Sequence, residues 1–274
     1  MNVLITGASG CLGTALTRRV SARGHVVRAL SRGASQEKSA ANWFRADLAT
    51  GHGLDAAVLG MDAFIHAASD PRHPSLIDVE GTKKLVEAAR RAGVAHIVYV
   101  SIVGVDVIPY AYYRCKLEAE AIVRGSGVPF SIVRATQFHS FVSWVFESLA
   151  RVPHVLPVPA GFQAQPVDVT DVADRLTQCL ADAPSGRIDE FGGPEAIPVH
   201  VLARRWLSAR GSRGVVVPVP IPGRLAFAFR QGRNLAPRGE RGRMTWDDWL
   251  ATEFSERNQH GGGVKEAPNV RPTT

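Results

Sequence analysis

Apolar and polar positions along the first 150 residues follow two alternating periods. Short apolar runs at residues 3–5, 25–30, 41–44, 61–68, 96–101 and 127–134 have the length of buried strands. Between them, apolar residues recur three and four apart, as on the buried face of a helix. Ala15, Leu16 and Val20 form one such stripe, and Leu85, Val86, Ala88 and Ala89 form another, within a helix expected to open at Asp78 and stop at Gly93. Strand and helix alternating at this length predict a parallel sheet covered by helices on both faces. Past residue 150 the pattern shifts to short strands and proline turns at 155–159 and 165–169. A helix from Thr170, a strand at 188–191, a helix at 198–209, a strand near 215–217 and two helical patches follow. The fold class is therefore α/β. A sheet domain over residues 1–150 carries a small C-terminal α+β lobe over 151–254, interleaved with it, and residues 255–274 read as a flexible tail.

The first strand leads directly into Thr6-Gly7-Ala8-Ser9-Gly10-Cys11-Leu12-Gly13 and then into the first helix. Gly7 can take backbone angles closed to other residues, Gly10 lets the main chain approach a ligand, and Gly13 lets helix and strand lie close. Free amides at the helix start, from Ser9 to Leu12, favour an anion, and a dinucleotide pyrophosphate fits that position. The second strand ends in Ser31-Arg32-Gly33, without the carboxylate that accepts the ribose 2′-hydroxyl in NAD-selective sites. Arg32, helped by Ser31 or Arg28, suits a 2′-phosphate instead, so the expected cofactor is NADP(H). Small residues at the end of the fourth strand, Ala67 and Ala68, leave room for it. His66 beside them reads as a packed histidine.

After the fifth strand, which ends at Ser101, comes Tyr110-Ala111-Tyr112-Tyr113-Arg114-Cys115-Lys116. Tyr112 and Lys116 stand four apart on a predicted helix and share a face. A lysine cation beside a phenol is expected to lower the phenol pKa towards neutrality, giving a group able to move a proton in carbonyl reduction. Ser101 is the candidate to hold the substrate oxygen. Tyr110 and Tyr113 are rivals to Tyr112. Past the sixth strand, Phe141, Trp144 and Phe146 form an aromatic helix that reads equally as core or as a lid over an apolar substrate.

The Thr6-Gly-x-x-Gly-x-x-Gly stretch and Tyr112-x-x-x-Lys116 resemble the short-chain dehydrogenase/reductase superfamily in its extended and atypical branches. Ala135-Thr136-Gln137-Phe138-His139 resembles the substrate-side loop of the NmrA-like NAD(P)-binding branch, and the likeness covers about the first 200 residues. It implies a Rossmann-type doubly wound sheet, Tyr112 and Lys116 in the catalytic places, and Lys116 near the nicotinamide ribose. It also implies Asp47 and Leu48 beside the adenine, and Gln137, Phe138 and His139 on the substrate side, where Phe141 and Trp144 join them if the aromatic helix is a lid. Asp78-Val79-Glu80-Gly81-Thr82 resembles the Asn-Val-x-Gly-Thr of extended reductases, with Asp78 where asparagine is common.

Composition narrows the function classes. The 274 residues are 45% hydrophobic and 21% charged, and carry a net charge of +7 from 32 basic and 25 acidic side chains. The basic excess gathers in residues 224–243 without interleaved aromatics, which reads as a solvated face and not as a nucleic-acid surface. Three cysteines, Cys11, Cys115 and Cys179, share no ligand spacing, so no metal site is expected. No apolar run is long enough to span a bilayer, and a cytoplasmic protein without a membrane partner is expected. The expected function is an NADPH-dependent reductase of a carbonyl, enone or quinone-like carbon in an apolar small molecule. An NADP-sensing regulator without turnover and an epimerase or isomerase are the alternatives; oligomeric state is open.

Overall fold

Eight parallel strands form the central sheet of the computed structural model, which describes residues 1–33, 42–151 and 154–259. They are β1 (Asn2–Thr6), β2 (Val26–Ser31), β3 (Asn42–Arg45), β4 (Ala63–His66), β5 (His96–Ile102), β6 (Phe130–Ala135), β9 (Ile188–Gly192) and β12 (Glu240–Arg241). Their order is β3-β2-β1-β4-β5-β6-β9-β12. The chain turns back between β1 and β4, so a crevice opens beyond the carboxyl ends of those two strands. β4 is buried along its whole length, as expected of a strand covered on both faces.

Helix α1 (Cys11–Ala22) and α6 (Val169–Ala181) cover one face of the sheet, and α2 (Leu54–Val58), α3 (Thr82–Arg91) and α4 (Ala111–Arg124) the other. A π-helical segment, Ser75–Gly81, precedes α3 where a regular helix was expected from Asp78. A third core joins α5 (His139–Leu149), β7 (Val155–Pro159), α7 (Val199–Ala209) and α9 (Trp246–Gln259) around Trp206, Trp246 and Phe146. β7 pairs in parallel with β11 (Val215–Val219), and β8 (Gln163–Ala164) pairs antiparallel with β10 (Ile197–Pro198). Helix α8 (Arg224–Arg230) lies between β11 and β12.

Three differences from the sequence reading stand out. The segment at 188–191, expected in the interleaved lobe, is a strand of the main sheet, paired with β6. The third strand begins at Asn42, its expected first residue lying outside the described residues. Helix α9 continues to Gln259, and the expected tail from residue 260 on is outside the described residues.

Candidate active site

Gly7, at φ +67, forms the turn that closes β1 onto the crevice, and a Cβ there would sit 2.8 Å from the Ala67 carbonyl and the Ala68 backbone. At Gly13 a Cβ would sit 2.0 Å from the Gly7 carbonyl, so the helix start can approach the strand only without a side chain. Gly10 N donates to Gly7 O at 2.9 Å, which tightens the turn. Nothing but the Gly7 carbonyl, at 3.2 Å, would meet a Cβ on Gly10, so its backbone is open to a ligand. This cradle fits a dinucleotide pyrophosphate in both space and amide supply.

A cleft of about 210 Å³ runs from this turn along the sheet edge and brings together Gly7, Ser9, Gly10, Ser31, Arg32, Asp47, Leu48, Ala67 and Ala68. Ser69, Asp70 and Ile77 also line it. Cys11, Leu12 and Gly13 stand behind the cradle in the first turn of α1, Cys11 exposed and the other two buried. Arg32 is exposed at the far end. Arg28 is not available to help it: its guanidinium donates to the carbonyls of Ala56, Ala57 and Leu59 at the end of α2. One carboxylate oxygen of Asp47 accepts from Ala49 N at 2.9 Å in a local turn.

A directional chain of hydrogen bonds holds the floor. Ala68 N donates to Thr6 Oγ1 at 3.2 Å, and Thr6 Oγ1 lies 2.6 Å from His66 Nδ1. His66 Nε2 lies 2.9 Å from Thr82 Oγ1, whose hydroxyl donates to the Asp78 carbonyl. With Thr82 committed as donor to that carbonyl, His66 must donate from Nε2 and accept at Nδ1. Burial, helped by the nearby Lys116 charge, pushes the His66 pKa down to about 3, so the ring is neutral and structural, as expected.

At the cleft edge the Tyr112 hydroxyl is 2.6 Å from Ser69 Oγ, and Ser69 Oγ donates to Asp78 Oδ1 at 2.6 Å. Since the serine proton goes to the carboxylate, Tyr112 is the donor to Ser69. Asp78, buried, lies 3.7 Å from Lys116 Nζ and accepts Asp70 N on its other oxygen. Lys116 is buried as well, donates to the Val100 carbonyl at 3.1 Å and sits 4.4 Å above the Tyr99 ring. The spacing argument for a lowered phenol pKa is therefore corrected. Burial first, and then the Asp78 charge, raise the Tyr112 pKa; the carboxylate is joined to the phenol through Ser69 and lies against the Lys116 ammonium. Tyr112 is held as a protonated phenol.

Of its rivals, Tyr113 is buried beneath α8, its pKa pushed up to about 12 by burial, and Tyr110 is exposed. Ser101 is buried on the same face of β5 as Tyr99, and its Oγ has no hydrogen-bond partner among the described residues. The hydroxyl beside Tyr112 is that of Ser69, which sequence reasoning missed. Its signal was position alone, one residue past the Ala67-Ala68 pair.

The substrate-side candidates separate. Gln137 is tied to Asn234 O and Gln165 N, and Phe138 packs on the sheet core near α1. His139 is buried, its ring 5.6 Å from both Trp246 and Trp249, and its nearest carboxylate, Asp168 Oδ2, is 3.9 Å away, too far for a hydrogen bond. Phe141 and Trp144 stack on each other at 5.9 Å on the outer side of α5. None of the five lines the cleft described above. Among the described residues there is no cluster of metal-ligating side chains, and no helix is long and apolar enough to cross a membrane.

Residues 7–183 match a family model described as NAD(P)H-binding. A (4-alkanoyl-5-oxo-2,5-dihydrofuran-3-yl)methyl phosphate reductase of Streptomyces griseus is 30% identical over 204 residues, which is 71% of this chain and 69% of that protein. The chain spans 26% of the length of uncharacterized mycobacterial relatives, to which it is 28% identical over 243 residues. Among solved structures, a nucleoside-diphosphate-sugar epimerase of Staphylococcus aureus superposes with TM-score 0.76 at 20% identity, over 92% of this chain and 100% of that one. An NADPH-dependent quinone oxidoreductase of Escherichia coli gives 0.75 at 17%, over 92% and 99%. At such identities the likeness is one of fold, and it is shared by an epimerase and a reductase alike.

Proposed function

The chain belongs to the NAD(P)H-binding family, and we propose that it is an NADPH-dependent reductase of the extended, NmrA-like short-chain dehydrogenase/reductase type. Its substrate is a carbonyl, enone or quinone-like carbon of an apolar small molecule. The observation that carries this reading is the protonated Tyr112 hydroxyl, hydrogen-bonded at 2.6 Å to a serine that itself lines the cofactor cleft. A proton donor at the edge of a dinucleotide cleft is what reduction needs and what cofactor sensing does not.

When bound, NADPH supplies the hydride. Gly7, Gly10 and the amides opening α1 would hold the pyrophosphate, Asp47 and Leu48 the adenine side, and Ala67 and Ala68 the floor under the nicotinamide half. Arg32 with Ser31 would hold the 2′-phosphate. Tyr112 gives its proton to the substrate oxygen as negative charge grows there, and exposed Ser69 connects the phenolate to solvent for its reprotonation. Lys116 lies against Asp78 and, through the Val100 carbonyl, ties α4 to β5. Ser101, a buried hydroxyl with spare bonding capacity, is the secondary candidate for orienting the substrate oxygen.

The test is NADPH oxidation with a panel of apolar carbonyls, enones and quinones, together with calorimetric titration of NADPH and NADH. Tyr112→Phe should lower turnover by about 10²–10⁴ with cofactor affinity kept. NADPH should bind at least about tenfold tighter than NADH, since one charge-assisted contact contributes roughly 1.5–3 kcal/mol. Tight binding with no turnover on any substrate would make the protein a sensor. Equal affinities would remove Arg32 from the phosphate site.

A further inference from the structure

From Ala196 to Gly239 the sequence holds eight arginines and no aspartate or glutamate. Within that run, residues 215–227 contain six of the fourteen large apolar side chains exposed among the described residues. Val215 (63% exposed), Val217, Val219 and Ile221 alternate along β11 and its extension, and Leu225 and Phe227 (58%) follow on α8. Val155, opposite Val215 on β7, continues the surface. Arg213 stands at one end and Arg224 at the other, neither in an ion pair among the described residues, while Arg230 donates to the Ile221 carbonyl. Apolar surface gathered in this way and edged by uncompensated cations is unusual for a solvated face.

The inner side of the same element meets the candidate site. Ala228 packs with Val105, Ile108 and Tyr113, and Tyr112 packs against that cluster. The Arg233 carbonyl lies so close to Gly104 that a Cβ there would meet it at 2.2 Å, and Gln137 donates to Asn234 O. Helix α8 is thus a thin roof, with Tyr112 beneath it and the apolar face above.

We propose that this face docks on an anionic lipid bilayer, with Val215, Val217, Ile221 and Phe227 entering the headgroup–acyl boundary and the arginines engaging lipid phosphates. Charge complementarity selects that occupant. A second copy applied through the same patch would bring together two arginine-rich segments that hold no Asp or Glu of their own, whereas an anionic membrane offers both an apolar layer and the opposite charge. The proposal departs from the expectation of no membrane partner, which rested on the lack of a spanning run. The docking face stands independently of the reductase reading; its use to draw an apolar substrate from the bilayer towards Tyr112 rests on that reading.

Cosedimentation of the full chain with vesicles of phosphatidylcholine alone, or mixed with phosphatidylglycerol, tests it. Binding to the mixed vesicles should exceed binding to the neutral ones by about tenfold or more and weaken as salt shortens the screening length. Val217→Ser with Phe227→Ser should cost about tenfold on the mixed vesicles, and Arg213→Gln with Arg224→Gln should erase the anionic preference. Unchanged melting and NADPH affinity in both pairs would show that the fold is intact. Tyr112→Phe should bind vesicles as the unmodified chain does, so a failed reductase reading and a failed docking face are told apart. Equal binding to both vesicle types, or indifference to both pairs of substitutions, would overturn the proposal. So would a doubling of mass in solution, or capture by polyglutamate, that Phe227→Ser abolishes while vesicles stay unbound.

Discussion

Asp78 determines what Tyr112 can do. Its charge is, after burial, what raises the phenol pKa, and it also lies against Lys116. Asp78→Asn takes away a negative charge near the phenolate and frees the lysine field, so the Tyr112 pKa must fall. In reduction, where the protonated phenol is required, the unmodified protein should keep a flat kcat on the alkaline side past about pH 10, the ordinary tyrosine value, because its phenol titrates above it. The Asn variant should lose rate at lower pH, and coincident profiles would remove Asp78 from the site. The Tyr112–Lys116 pair was legible because four residues on a helix define a face. The intervening carboxylate was not: Asp78 comes from a different element and arrives through a π-helical turn, which apolar periodicity does not report. Arg28 was misjudged for a related reason. Sequence places its Cα near the cofactor edge, but only the structure shows three carbonyls of α2 claiming its guanidinium.

Helix α4 is held in register by a buried charge network. Arg134 on β6 forms a two-pronged pair with Glu120, both contacts at 2.8 Å, and reaches Asp106 in the preceding loop at 2.9 Å. Removing one partner strands a charge in the interior, so Arg134→Met should destabilise by about 3–5 kcal/mol in chemical denaturation. Arg134→Met combined with Glu120→Leu should recover most of the loss, since no buried charge is then left alone. A double variant as unstable as the single would show that the network gives more than pairing. The strands carrying these groups were readable as apolar runs because helices cover both sheet faces. β9 reads as a lobe strand because it follows the proline turns past residue 150 and its middle, Asp189-Glu190, is acidic; in the structure only its last two residues are buried.

In the whole molecule, chain order and spatial order disagree past residue 150. Helix α6 supplies Val172, Ala173, Leu176 and Leu180 to the core that covers α1 and β1, and β9 and β12 extend the sheet that β1 began. A fragment ending at Arg151 would bare the face under the cofactor cradle. Expressed alone, residues 1–151 should neither melt cooperatively nor bind NADPH, and the same holds for 152–274; native affinity in either would contradict this. The shared sheet, however, gives each fragment the template the other lacks. Mixed, the two pieces should reassemble through β6–β9 pairing and α1–α6 packing and regain the cleft, which makes exposed Arg151 a natural seam for a split protein whose cofactor binding reports that its halves have met.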